Sequence, residues 1–175
     1  MNADIDITGV VLKTERLILR EWRQSDLTDL FEYAKVEGVG EMAGWPHHES
    51  IEVSQEILNR FIAHKRTFAI EYNGKIIGSL GIETYNEEVL PEFNSKMGRE
   101  IGYVLSKDYW GQGLMPEAVK RVIDYCFDEL HLDFLTCCHY DFNNQSRRVQ
   151  EKCGFKHYKH LPDHNPPKWV SLILR

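Results

Sequence analysis

The chain has only four cysteines in 175 residues, and no two of them form a C-x-x-C pair. Cys126, Cys137, Cys138 and Cys153 therefore offer neither zinc-ribbon spacing nor a dithiol redox motif. Cys137 and Cys138 adjoin in an apolar run and face opposite ways on a strand, which argues against a bridge between them. A reducing, cytoplasmic setting follows. Long apolar runs are missing as well, so no segment reaches the roughly 18 residues of a membrane span. The opening M-N-A-D-I-D-I-T lacks the basic and apolar regions of a signal peptide. Positive charge is also in short supply: 21 Lys and Arg against 27 Asp and Glu leave a net charge of −6. That argues against the basic patch with which a nucleic-acid binder meets phosphates. No repeat, low-complexity tract or linker interrupts the sequence, so residues 1–175 read as a single domain long enough for a sizeable core. Metal chemistry lacks a ligand set. His157 and His160 are expected on opposite faces of a strand, and neither they, His164 nor His47-His48 belong to a carboxylate–histidine helix motif.

What is present alternates strands and helices. Val10 to Leu19 reads as a strand, and Ser25 or Asp26 as the cap of a helix carrying Leu27, Leu30, Phe31 and Ala34. Glu37 to Ser50 is a loop. Ile51 to Phe61 is a helix presenting Val53, Ile57, Leu58 and Phe61. Phe68–Tyr72 and Lys75–Ile82 flank Asn73-Gly74, the strongest short hairpin signal. After an irregular acidic stretch from Asn86 to Ser95 come a strand over Arg99–Leu105 and a helix over Ala118 to Leu130. Phe134–His139 forms a further strand. A short helix capped by Asn143 or Asn144 ends at Gly154, and two closing strands cover Phe155–Leu161 and Trp169–Leu174. The order β-α-α-β-β-β-α-β-α-β-β predicts an α/β fold, a mixed sheet with helices on its faces.

The most informative stretch is R-E-I-G-Y-V-L-S-K-D-Y-W-G-Q-G-L-M-P, from Arg99 to Pro116. Ile101, Tyr103 and Leu105 alternate with Glu100, Gly102 and Val104, as on a strand with unlike faces. Gly111 and Gly113 permit a tight turn, and Pro116 suits the first turn of the helix that follows. A strand passing through glycines onto a helix N-terminus aims several backbone N–H groups at one spot, which suits an anion such as a diphosphate. A Walker loop would end in Gly-Lys-Ser/Thr, whereas Gly113 is followed by Leu114-Met115. A dinucleotide fingerprint would need a third glycine where Pro116 stands. The remaining reading is a cradle for a phosphorylated carrier, with the chemistry done elsewhere.

The run Y-W-G-Q-G-L-M-x-E-A resembles the acyl-CoA-binding loop of the GNAT superfamily of N-acetyltransferases. Two further blocks, T-E-R-L-I-L-R at Thr14 to Arg20 and N-x-x-S-x-x-V-x-E-K-x-G-F at Asn143 to Phe155, resemble its Rim-type branch, whose best-known members acetylate the N-termini of ribosomal proteins. The resemblance implies a mostly antiparallel sheet splayed open at the end of the Arg99–Leu105 strand, with acetyl-CoA in the gap as co-substrate. It assigns the coenzyme to Val104, Leu105, Trp110, Gly111, Gln112, Gly113, Leu114, Met115, Asn143 and Ser146, the amides from Trp110 to Met115 holding the diphosphate. Two positions depart from the pattern. Asp108 stands where many members have Gln or Arg, and Gln150 stands where many have a general-acid tyrosine.

Acetyl transfer to an amine needs a neutral amine, a polarised carbonyl and a stabilised thiolate. Keeping an α-amine neutral at pH 7 costs about 1 kcal/mol, against about 4.6 kcal/mol for a lysine. Glu100, on an otherwise apolar strand, is the candidate base, with an edge-exposed or salt-bridged glutamate as the alternative. Ser146 is placed by the resemblance beside the thiolate and Asn143 along the pantetheine arm; helix capping accounts equally for both residue types. Lys152, with Arg147 and Arg148, faces either a phosphate or solvent. Trp45, Glu83 and Tyr85 are the candidates for the acceptor side, within a region made acidic by Glu87, Glu88 and Glu92. The acceptor is then a protein N-terminus, or a polyamine or aminoglycoside-like amine. A CoA-binding sensor without turnover and a nucleotide-binding module are the rival classes. The two C-terminal strands could pair between chains in a homodimer.

Overall fold

The computed structural model describes residues 1–175. Its strands follow one another in the order β1-β2-β3-β4-β5-β6-β8-β7, and the sheet is mostly antiparallel. The strands are β1 (Leu12–Lys13), β2 (Leu17–Arg20), β3 (Thr67–Tyr72), β4 (Lys75–Glu83), β5 (Gly98–Leu105), β6 (Phe134–Tyr140), β7 (Lys156–Leu161) and β8 (Lys168–Leu174). Four helices accompany them: α1 (Leu27–Ala34), α2 (Ile51–His64), α3 (Leu114–Asp124) and α4 (Asn144–Lys152). The expected order holds except at the start, where the single strand Val10–Leu19 is two short strands broken at Thr14. No helix is long and apolar enough to cross a membrane.

The chain forms two compact units, the first comprising residues 5–81 and 103–118. Here β3 and β4 pair through the Asn73-Gly74 turn, both residues having positive φ (50° and 78°), as a two-residue hairpin demands. Trp22, Leu30, Tyr33, Ala34, Val39 and Leu58 pack on Ala69 and Ile76 as its core. The face of α2 differs from expectation. Val53 is 39% exposed while Ser54 and Leu58 are fully buried, because Ser54 receives the buried His48 ring at 2.7 Å. Asp26 differs too. Its carboxylate takes both terminal nitrogens of Arg20 at 2.9 and 3.0 Å rather than capping α1, which starts from a short 3-10 turn instead.

The second unit comprises residues 1–4, 82–102 and 119–175. Its core sets Tyr85, Leu90 and Phe93 against Phe134, Val170 and Leu172. The parallel β5–β6 ladder is brief: Gly98↔Phe134, Arg99↔Leu135 and Glu100↔Thr136, after which it stops. Meanwhile β6 stays paired with β8 as far as Tyr140↔Lys168. The ladder therefore parts at Glu100, in mid-strand, and not at the strand's end. Asn143 caps α4 by accepting the Ser146 N–H at 3.0 Å, and Gly154, at φ 91°, turns the chain out of it. A register shift between His157 and Lys159 corrects another expectation. His157 and His160 share one face of β7, and both rings stack on Trp169 at 4.7 and 4.6 Å.

Candidate active site

In the first unit, the turn from Gly111 to Gly113 leads directly into α3. Both glycines have positive φ, 75° and 76°. The N–H groups of Gly111 through Met115 have no main-chain acceptor, as the opening of a helix dictates. The Trp110 amide, expected among them, donates to Lys107 O at 3.2 Å, which narrows the cradle to Gly111–Met115. Trp110 closes the strand end instead, its indole Nε1 donating to Leu105 O at 2.8 Å and its ring packing on the core. Leu105, Leu114 and Met115 are buried, Val104 is half-buried, and Gln112 is exposed with its amide folded onto Asp108 O.

A brace holds this turn from below. Glu117 accepts from the Thr14 hydroxyl at 2.5 Å, the Arg16 amide at 2.8 Å and the Arg16 Nε at 2.7 Å. Arg16 Nη1 then reaches Gln112 O at 3.0 Å. Burial alone would raise the Glu117 pKa, but the donors from Thr14 and Arg16 outweigh it and lower the value, keeping the carboxylate ionised. The sequence had marked these residues as blocks without assigning them a task; their long separation hid it. Replacing Arg16 by methionine should weaken acetyl-CoA binding roughly tenfold, the worth of one charge-assisted hydrogen bond, with little change in kcat. A coenzyme titration checks this.

The second unit holds the carboxylate. Glu100 faces Cys138 Sγ at 3.4 Å and Thr136 Oγ1 at 3.5 Å. Desolvation raises its pKa; the Cys138 thiol, the Lys168 charge and the Thr136 hydroxyl pull back, and the like charge of Glu83 adds to the rise. The same burial and the neighbouring Glu100 push the Cys138 thiol up, so this sulfur is a donor and not a thiolate. The Arg99 guanidinium next to it donates through Nε and Nη2 to Ala3 O. Cys138 and Thr136 became recognisable as neighbours only once β6 was known to pair with β5.

The remaining candidates fall as follows. Glu83 lies in the same electrostatic neighbourhood as Glu100. Tyr85 is a core ring at 3% exposure, edge-on to Phe134 and bonded through its hydroxyl to the Met1 amino group at 2.7 Å. It is thus a packing residue, contrary to the acceptor-side expectation. Trp45 is half-buried in the other unit, against His48. Ser146 and Asn143 share the first turn of α4, and Lys152 is exposed at its end. No three His, Cys, Asp or Glu side chains converge as a metal set.

A helix-opening amide cradle following a strand with a desolvated carboxylate is the layout of a GNAT acetyltransferase domain. That family matches residues 16–156, and the chain belongs to it. It is thereby an acetyl-CoA-dependent N-acetyltransferase. Among its relatives, YoaA of Bacillus subtilis (strain 168), an uncharacterized N-acetyltransferase, is 28% identical over 153 residues, covering 83% of this chain and 82% of YoaA. YdaF of the same organism, named as a candidate ribosomal N-acetyltransferase, is 33% identical over 84 residues. That match spans 48% of this chain and 42% of YdaF. Of solved structures, RimL, a ribosomal L7/L12 alpha-N-protein acetyltransferase in complex with coenzyme A, superposes with a TM-score of 0.79 at 14% identity, covering 94% of this chain and 98% of RimL.

Proposed function

We propose that residues 1–175 act as one cytoplasmic catalytic domain that transfers acetyl from acetyl-CoA to the α-amine of a protein N-terminus. The observation that carries the coenzyme half is the run of unshared main-chain amides from Gly111 to Met115, braced by Arg16 and Glu117. In this reading the amine attacks the thioester carbonyl directly, the C–N bond forms and the C–S bond breaks. Glu100 takes the amine proton, directly or through water, and the Ser146 hydroxyl donates to the departing thiolate. Main chain near Val104 and Leu105 polarises the carbonyl, and Asn143 and Lys152 border the coenzyme. Glu83 and Trp45 border the acceptor. The N-terminal acceptor draws support from the names of YdaF and RimL.

A second reading, a polyamine or aminoglycoside-like acceptor, is favoured by the paired acids Glu83 and Glu100 and the net charge of −6. Calorimetric titration with acetyl-CoA, followed by an amine panel monitored for released thiol, separates these. Peptides with a free α-amine should outpace spermidine, kanamycin and α-blocked lysine peptides. Binding without thiol release from any amine would favour the sensor reading. A lead for spermidine or kanamycin would move the assignment to small molecules. The exposed outer strand β7 is where we place the edge of a homodimer.

A further inference from the structure

Along β6 every second side chain falls on one face, and the row does not end at the carboxylate. Thr136 and Cys138 meet Glu100 at 3.5 and 3.4 Å. Tyr140 is next in that row. Phe142, just past the strand, stacks on it with ring centres 5.5 Å apart and 24° between planes. The His164 ring, from the turn between β7 and β8, lies 6.4 Å from Tyr140. Phe142 is 56% exposed, a large aromatic surface left in water beside the carboxylate's row. Asp141, between the two rings in sequence, is engaged elsewhere, with His160 Nε2 at 3.0 Å. Lys168 stands opposite Tyr140 in the β6–β8 ladder, and its charge acts on both Glu100 and Cys138. One face thus offers a carboxylate, a cation and an aromatic step.

We propose that Tyr140 and Phe142 form an acceptor subsite that seats a large apolar first side chain of the N-terminus to be acetylated. The inference rests on the N-terminal reading given above and names the class of terminus preferred. Spacing supports it. Two residues of strand advance about 7 Å, so the rings begin roughly that far from the Cys138–Glu100 contact. That is the reach of one leucine, methionine or phenylalanine side chain from its own α-amine. An amine held at Glu100 can therefore lay its side chain against the rings. Charge supports the same occupant. Aromatic faces attract cations as well as apolar groups. A lysine side chain, polyamine or aminoglycoside laid here would, however, meet the like charge of Lys168 on the same face. An uncharged side chain meets no such opposition, and covering the Phe142 ring removes apolar surface from water.

The test measures kcat/KM, by thiol release at saturating acetyl-CoA, for peptides that differ only in their first residue. Wild type should favour Leu-, Met- and Phe-initial peptides about tenfold over Gly-, Ser- and Lys-initial ones, the worth of one seated apolar group. In Phe142→Ala that ratio should fall to within about twofold of unity, and Phe142→Tyr should keep it. An exposed ring carries little of the fold, so melting temperatures should stay level among the variants. A merely structural residue would slow all peptides alike and leave the ratio standing. No preference in wild type, or a preference that survives Phe142→Ala, would overturn the inference and leave the N-terminal reading intact. Turnover of spermidine or kanamycin with no peptide accepted would overturn that reading, and the subsite with it.

Discussion

Gly111→Val should abolish measurable acetyl-CoA binding while leaving the protein folded. The expectation does not come from crowding within the protein, since a Cβ at this position meets nothing within 4 Å. It comes from the backbone. At φ 75° an L-residue carries a penalty of about 1–2 kcal/mol, and a β-branched one more. A valine there would pull the turn toward negative φ, swinging the amides of Gln112 and Gly113 away from a common focus. What space remains on the concave side would be taken by its methyl groups, where an anion would sit. Asparagine tolerates left-handed backbone, so Gly111→Asn should lose far less affinity. Titration of both variants with acetyl-CoA, beside thermal melts, decides the matter. Retained micromolar affinity in the valine variant would show that the coenzyme is held by something other than this turn.

Glu100→Gln should produce the second large effect, and its size should depend on both pH and acceptor. The base works when ionised. With its pKa raised by burial, wild-type activity should fall with acidification above the ordinary carboxylate range. The variant should lack that limb and be slower at pH 7. Its deficit should shrink towards pH 9, where the amine loses its proton unaided. For an α-amine the deficit at pH 7 should be near tenfold. For a lysine amine, whose deprotonation costs about 4.6 kcal/mol, it should reach a hundredfold or more. Profiles of kcat/KM against pH on two acceptors measure this directly. A deficit that stays constant from pH 6 to pH 9 would remove Glu100 from proton transfer.

Local chemistry made much of the fold legible in advance. Asn73-Gly74 and Gly154 announced their turns through backbone geometry that few other residues tolerate, and Asn143 announced its cap. The glycines of the cradle were readable for the same reason. Less local matters were not. The strand expected over Val10–Leu19 breaks where Thr14 and Arg16 turn aside to hold Glu117, a demand set by a residue on a distant helix. Val53 looked buried by periodicity, but Ser54, against the His48 ring, takes the buried place beside it. A one-residue register shift put His157 and His160 on the same face, which no alternation rule could foresee. At the site, Glu100 stood out as a carboxylate among apolar neighbours. Its partners Cys138 and Thr136 lie on another strand, and Tyr85 proved to be core because its ring meets Phe134 nearly fifty residues away.

The Arg16–Glu117 brace also bears on how the protein is made. Its contacts join residues 101 to 103 positions apart, whereas the bonds of Gln112 and Trp110 to Asp108 O and Leu105 O span only four and five, so the brace closes after the local contacts of the turn. Such distant closures form late and slowly. A nascent chain emerging from the ribosome would expose the turn well before it acquires a fixed form, and competence for coenzyme should arrive together with the final collapse of the surrounding residues. Coenzyme uptake during refolding would thus serve as a clock for completion, lagging the far-ultraviolet dichroism of the helices.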